Sequence, residues 1–152
     1  MNEIAINRRI LLASPLLLMI GGEAAAQGDP CARYYGRGYC TDYVNSRTGV
    51  RQRGDAKDWP SNIGRLQVQS GDVAIFPRQN HVAYIEAVTE WGTRIPSARD
   101  KYPVRLRISE MNYPGPLDPS APRSCFVTVN FGKVNTREGT FEDAVFMRPR
   151  RR

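Results

Sequence analysis

The feature that most constrains this chain is its N-terminus, where Arg8 and Arg9 precede an apolar run over residues 10–20, followed by Ala24, Ala25 and Ala26. A basic start, a short apolar stretch and small residues at alternate positions form the pattern of a secretory signal peptide. The run has 11 residues, against about 20 needed to span a bilayer, so stable membrane insertion is not expected. Cleavage is expected after Ala26, which makes 1–26 a signal peptide and 27–152 one mature domain. The stretch Asn7-Arg8-Arg9-Ile10-Leu11-Leu12 is also a loose match to a twin-arginine signal, so the route, general or twin-arginine, stays open. What folds is then 126 residues in an oxidising compartment, secreted or periplasmic in a bacterium. A chain of that length buries about two-thirds of its unfolded surface and holds a core without staples.

At 41% hydrophobic and 24% charged residues the composition is that of a globular domain rather than a disordered chain or a disulfide-dense miniprotein. One His and three Cys, with no CxxC pair, give no set of zinc-ligand spacing. No metal or cofactor is expected. The net charge is +7, and because the leader holds two Arg and two Glu, the excess belongs to the mature domain. It is concentrated in an Arg-rich tail at 148–152, which is expected to be solvated and without a dedicated partner. A basic surface attracts nucleic acid, anionic lipid or an anionic wall polymer. Export makes intracellular nucleic acid a poor partner, and no module combining reading aromatics with basic residues is present.

Past the leader there is no repeat and no low-complexity linker. Residues 40–47 follow Gly36 and Gly38 and place Cys40, Tyr43, Val44 and Arg47 at three and four spacing, which predicts a short helix with Cys40 at its start. A second short helix or turn is expected over 55–65, disturbed by Pro60 and anchored by Trp59. Gly71-Asp72 reads as a turn whose Asp bonds local backbone, leading into a strand at 73–76; the β-branched run 82–88 is its antiparallel neighbour. Residues 104–111 alternate, with Arg105 and Arg107 on one side and Leu106 and Ile108 on the other. Further strands are expected at 126–131 and 144–147. The class is α+β, with N-terminal short helices packed on a central antiparallel sheet.

Gly38-Tyr39-Cys40-Thr41-Asp42-Tyr43-Val44, Gly71-Asp72-Val73-Ala74-Ile75-Phe76, His81-Val82-Ala83-Tyr84-Ile85 and Ile108-Ser109-Glu110-Met111-Asn112 follow one another in this order. In that order they resemble the CHAP family of cysteine, histidine-dependent amidohydrolases and peptidases. Gly54-Asp55-Ala56-Lys57-Asp58-Trp59 is similar to a further family stretch, with Asp55 where Asn is commoner, and Phe146-Met147-Arg148-Pro149 matches near the end. The resemblance spans roughly residues 31–149. It implies a papain-like α+β fold, a nucleophile on Cys40, a base on His81, Glu110 as third member with Asn112 as a fourth, and peptidoglycan or a muropeptide as substrate. Two departures stand out: residues 91–102 look inserted, and no second wall-binding domain is present.

The residues support the same chemistry. A thiol must become a thiolate to attack a carbonyl, and the first turn of a helix favours that anion, although Asp42 in the same turn opposes it. An imidazolium partner must then supply most of the activation, and only His81 is available. Glu110 and Asn112 are two apart, so on a strand both face one side and both are expected to reach one imidazole, Glu110 accepting from its distal nitrogen. The oxyanion hole is expected to use the Cys40 N–H and a second donor, for which Tyr34 and Tyr39 are candidates. Gly36-x-Gly38 lacks the third glycine of a dinucleotide loop, and there is no Walker or GxSxG pattern.

Catalysis requires Cys40 reduced, so a Cys31–Cys125 disulfide is expected; a Cys31–Cys40 bridge acting as a redox switch and three reduced thiols are the alternatives. The reading is a secreted, monomeric cysteine hydrolase of cell-wall amide bonds, either a sugar-to-alanine amidase or a stem-peptide or cross-bridge endopeptidase. The alternative is a non-catalytic basic wall-binding or scaffold protein that keeps the fold.

Overall fold

Gly71 takes the positive φ of 94° that the turn before the first strand requires. Beside it the buried Asp72 accepts the Gln69 N–H at 2.9 Å, and the chain enters β1, Val73–Phe76, buried along its whole length. Four consecutive apolar residues suit a strand with both faces covered. The computed structural model describes residues 28–36, 38–90 and 105–150. The leader expected at 1–26, the insertion expected at 91–102, and Arg151 and Arg152 lie outside the described residues.

β1 pairs antiparallel with β2, His81–Glu90, placing Val73 opposite Tyr84 and Phe76 opposite His81. β3, Arg105–Met111, continues the sheet beside β2 with two register shifts, and its exposed Arg105 and Arg107 alternate with buried Leu106 and Ile108 as expected. β4, Val134–Gly139, lies outside β3 and β5, Val145–Met147, outside β1, giving a five-stranded antiparallel sheet in the order β4-β3-β2-β1-β5.

The single α-helix among the described residues, α1, Cys40–Thr48, packs against β2 and β3. It ends at Gly49 in the left-handed conformation, whose N–H returns to the Asn45 carbonyl. Its face of the sheet carries Val44, Ala56, Trp59, Val73, Ile75, Val82 and Met147. The opposite face carries Ala74, Phe76, Ala83, Ile85, Leu106, Ile108 and Phe146, closed by Val68 and Ile63. A third cluster joins Cys31, Cys125 and Val127 to Tyr34, Tyr39 and Phe131. Cys31 and Cys125 form the expected disulfide, with Cα atoms 5.3 Å apart, and Cys40 is the free cysteine among the described residues.

The short helix or turn expected over 55–65 is a 3₁₀ turn, Ala56–Asp58, with Trp59 as the buried anchor foreseen. Two expectations need correction. Residues 126–131 form no strand: Phe126 takes φ 51° and is 72% exposed, and a lone bridge joins Thr128 to Leu117. The strand in that region is β4, whose polar edge position hides it from hydrophobic patterning. Finally, Arg148 is not part of a solvated tail. Its guanidinium grips the buried Asp72 through two bonds of 2.9 Å, and its N–H donates to Asn62.

Candidate active site

Gly38 leads the chain to the site past Gly132, so closely that a Cβ on Gly38 would lie 2.7 Å from the Gly132 nitrogen. Tyr39 follows in extended conformation with no side-chain bond capping the helix, and Cys40 opens α1. The first-turn N–H groups thus keep their capacity to face an anion, and the helix dipole favours one there. One carboxylate oxygen of Asp42, in the same turn, is buried without a hydrogen-bond partner.

His81 reaches the site from the other side of the β1–β2 connection. Asn80, at φ 47°, ends the 3₁₀ turn Pro77–Gln79, and its side chain accepts the Lys57 N–H at 2.9 Å. That fixed turn delivers His81 as the first residue of β2, 2% exposed. The imidazole Nε2 lies 2.8 Å from Glu110 Oε2. This leaves Nδ1 as the free ring nitrogen, and Cys40 is near enough to act on the charge of the ring.

Glu110, on β3, has no exposed surface, and a buried carboxylate persists only if it is paired. Its second partner is Arg137 on β4: Nε donates to Oε1 at 2.5 Å and Nη2 to Oε2 at 3.3 Å. The guanidinium lies over two rings, 4.9 Å from the centre of Phe141 and 5.7 Å from that of Phe76. No sequence pattern pointed to Arg137, because β4 itself was not visible; the signal available was a polar pair, Asn135 and Arg137, at strand spacing.

Burial opposes charge on His81, but its hydrogen bonds to Cys40 and Glu110 and their charges outweigh burial and push its pKa up to about 9. Burial likewise opposes charge on Glu110, and its bonds to His81 and Arg137 override it, holding the carboxyl below the usual range. At neutral pH the pair is therefore imidazolium and carboxylate. A thiol, an imidazole and an orienting carboxylate in this sequence of contacts can carry out nucleophilic attack with proton transfer.

Asn112 does not join them. β3 ends at Met111 and Asn112 turns to φ 49°, so the rule that residues two apart share a face no longer applies. Its Oδ1 instead accepts the Thr128 N–H at 3.1 Å and the Thr128 hydroxyl at 2.8 Å. Of the two tyrosines proposed as oxyanion donor, Tyr39 is engaged elsewhere. Tyr39 donates to the Cys125 carbonyl at 2.7 Å, and Tyr34 packs edge-on to Phe131 beneath Arg33.

A cleft of about 520 Å³ opens beside the pair, lined by His81, Glu110 and Arg137 together with Gln79, Asn135 and Glu142, a volume within the range of small-ligand sites. Among the described residues no group of His, Cys, Asp or Glu is placed to hold a metal ion, and no helix is long and apolar enough to cross a membrane.

No curated protein and no solved structure matches the chain. Residues 31–99 match the sequence model of the CHAP domain. The matched stretch includes Cys40 and His81 and stops short of Glu110 and Arg137, whose place in the site rests on geometry. Over that stretch the chain is similar to the CHAP domain.

Proposed function

We propose that this chain is an exported cysteine hydrolase that cleaves an amide bond of peptidoglycan, with Cys40 as nucleophile, His81 as base and Glu110 as the group that orients and charges the imidazole. The observation that carries the reading is the buried His81–Glu110 contact of 2.8 Å beside a lone free thiol at the start of a helix. CHAP domains are typically amidase or peptidase domains of bacterial wall hydrolases, and the match over residues 31–99 supports that substrate class.

In this mechanism His81 holds the proton of the thiol on Nδ1. The Cys40 sulfur attacks the amide carbonyl, and the negative oxygen that forms is met by the Cys40 N–H at the uncapped end of α1. The carbon–nitrogen bond breaks as Nδ1 gives its proton to the leaving amine. Water then attacks the thioester, passing one proton to His81 and releasing the carboxylic acid and the Cys40 thiolate, which restores the starting ion pair. Glu110 keeps the ring in one orientation throughout.

A helix bearing the thiol against an antiparallel sheet bearing the imidazole supports a papain-like reading of the fold. A disulfide across 94 positions supports export to an oxidising compartment, with residues 1–26 as a signal peptide and 27–152 as the mature chain. Digestion of purified peptidoglycan, with mass spectrometry of the new termini, tests the proposal. New amine termini with the parent and none with Cys40→Ala are expected; unchanged peptidoglycan with the folded parent would sink it.

A further inference from the structure

Glu110 Oε2 is shared: it takes the His81 Nε2 proton at 2.8 Å and a guanidinium N–H of Arg137 at 3.3 Å. With legs of 3.3 Å and 2.8 Å, that guanidinium nitrogen lies within about 6 Å of the imidazole nitrogen. The guanidinium is not free to leave, since Nε also holds Oε1 at 2.5 Å and the Phe76 and Phe141 rings lie against it. One buried carboxylate therefore serves two cations, only one of which can give up its proton near neutral pH.

We infer that Arg137 is a positioning residue of this site, whose fixed charge offsets part of the Glu110 charge felt by His81 and so keeps the imidazolium proton transferable. The inference rests on the reading of Cys40 and His81 as nucleophile and base, and deepens it. A general acid is most effective when its pKa is close to the working pH. A buried carboxylate with no competing cation holds an imidazolium too firmly to release a proton to a leaving amine. The guanidinium offsets that hold by repelling the imidazolium and by occupying part of the oxygen that binds it.

The other charged or titratable groups facing His81 do not replace this effect. From α1 come the Cys40 thiol and, in the same turn, Asp42; from β1 only the Phe76 ring, 6.0 Å away. Across the cleft stand Tyr113, Glu142 and Asp143, the last paired with Arg78 at 3.7 Å. Arg137 is the cation that touches the same carboxylate as His81.

His81 is the only histidine in the chain, so its ring signals in nuclear magnetic resonance need no assignment by mutation. The test is a pH titration of those signals in the disulfide-intact chain bearing Cys40→Ala, which removes the coupled thiol, with Arg137 kept or replaced. Arg137→Gln and Arg137→Met remove the charge, the second keeping an apolar stem over Phe76 and Phe141; Arg137→Lys keeps the charge without the fork. Both neutral variants are expected to move the His81 midpoint up by about one pH unit, allowing for the partial exposure of the guanidinium, and Arg137→Lys to leave it within a few tenths. A merely structural clamp gives the opposite sign, because a loosened Glu110 holds the imidazolium less well. An unchanged or lowered midpoint in the neutral variants, or an equal rise with Arg137→Lys, overturns the inference. The readout is a proton and not a product, so it fails or succeeds separately from the digestion of peptidoglycan.

Discussion

Replacing Glu110 by Gln keeps the shape of the side chain and removes the charge that offsets the burial of His81. The imidazole nitrogen and the carboxylate oxygen are 2.8 Å apart, so the charge centres are about 4 Å apart, an attraction of about 4 kcal/mol at an effective dielectric of about 20, or roughly three pKa units. In Glu110→Gln burial still opposes the imidazolium, and Arg137 now repels it without compensation, while the bond to Cys40 remains. The His81 midpoint is expected to fall from about 9 by about two to three units. At pH 8 the charged fraction then drops from about nine-tenths to below one-tenth, and alkylation of Cys40 by a neutral reagent slows by about tenfold. Stability follows the same shift. Because the folded value of His81 lies above its ordinary 6.5, its contribution is fully present below pH 6.5 and is lost as the pH rises through about 9. That loss is up to about 3 kcal/mol in the parent and is expected to be nearly absent in Glu110→Gln. Titration of the single histidine and urea unfolding at pH 6 and pH 10 measure both effects. A Glu110→Gln midpoint still above pH 8 would refute the assignment of Glu110 as the group that charges the imidazole.

Three further outcomes are expected. Replacing Cys31 and Cys125 together by Ser opens a bridge of separation 94 and lowers unfolding free energy by about 4 to 5 kcal/mol on the chain-entropy model, measured by urea unfolding without reductant; a loss under about 1 kcal/mol would reject that account. Asn112→Ala leaves the Thr128 N–H and hydroxyl without their acceptor and places Ala at φ 49°, costing about 2 to 3 kcal/mol by thermal unfolding with turnover changed only a few-fold; loss of turnover with unchanged stability would return Asn112 to the chemistry. Arg148→Ala strips the buried Asp72 of its partner and costs about 2 kcal/mol, whereas truncation after Arg150 costs nothing measurable; equal stabilities would mean that Arg148 belongs to a solvated tail after all.

The sequence made α1 legible because Tyr43, Val44 and Arg47 repeat at helical spacing behind Cys40, and β1 and β2 legible because the Gly71-Asp72 turn precedes two apolar runs. β3 showed in its alternation. β4 did not, since Val134-Asn135-Thr136-Arg137-Glu138-Gly139 buries no residue fully and is a strand only because β3 offers it an edge to pair with. Strand character there is a tertiary property, and Arg137 was hidden with it. Residues 126–131 misled in the opposite direction. Val127, Thr128 and Val129 are β-branched, but the left-handed Phe126 and the capture of Thr128 by Asn112 commit the segment to turns. The same capture took Asn112 from the site, where spacing alone had placed it beside Glu110.

The disulfide and the site are parts of one arrangement. Tyr39 immediately precedes the thiol; its hydroxyl is held by the Cys125 carbonyl at 2.7 Å and its ring by Phe131. Two residues before the thiol, Gly38 presses against Gly132. The N-terminal end of α1 therefore rests on the cluster that the Cys31–Cys125 bridge closes. With Cys31 committed to a partner 94 positions away, the competing bridge to Cys40, which would consume the thiol, has lost its sulfur. The bridge that holds the segment before Cys40 in place is thus also the one that leaves Cys40 as the free cysteine.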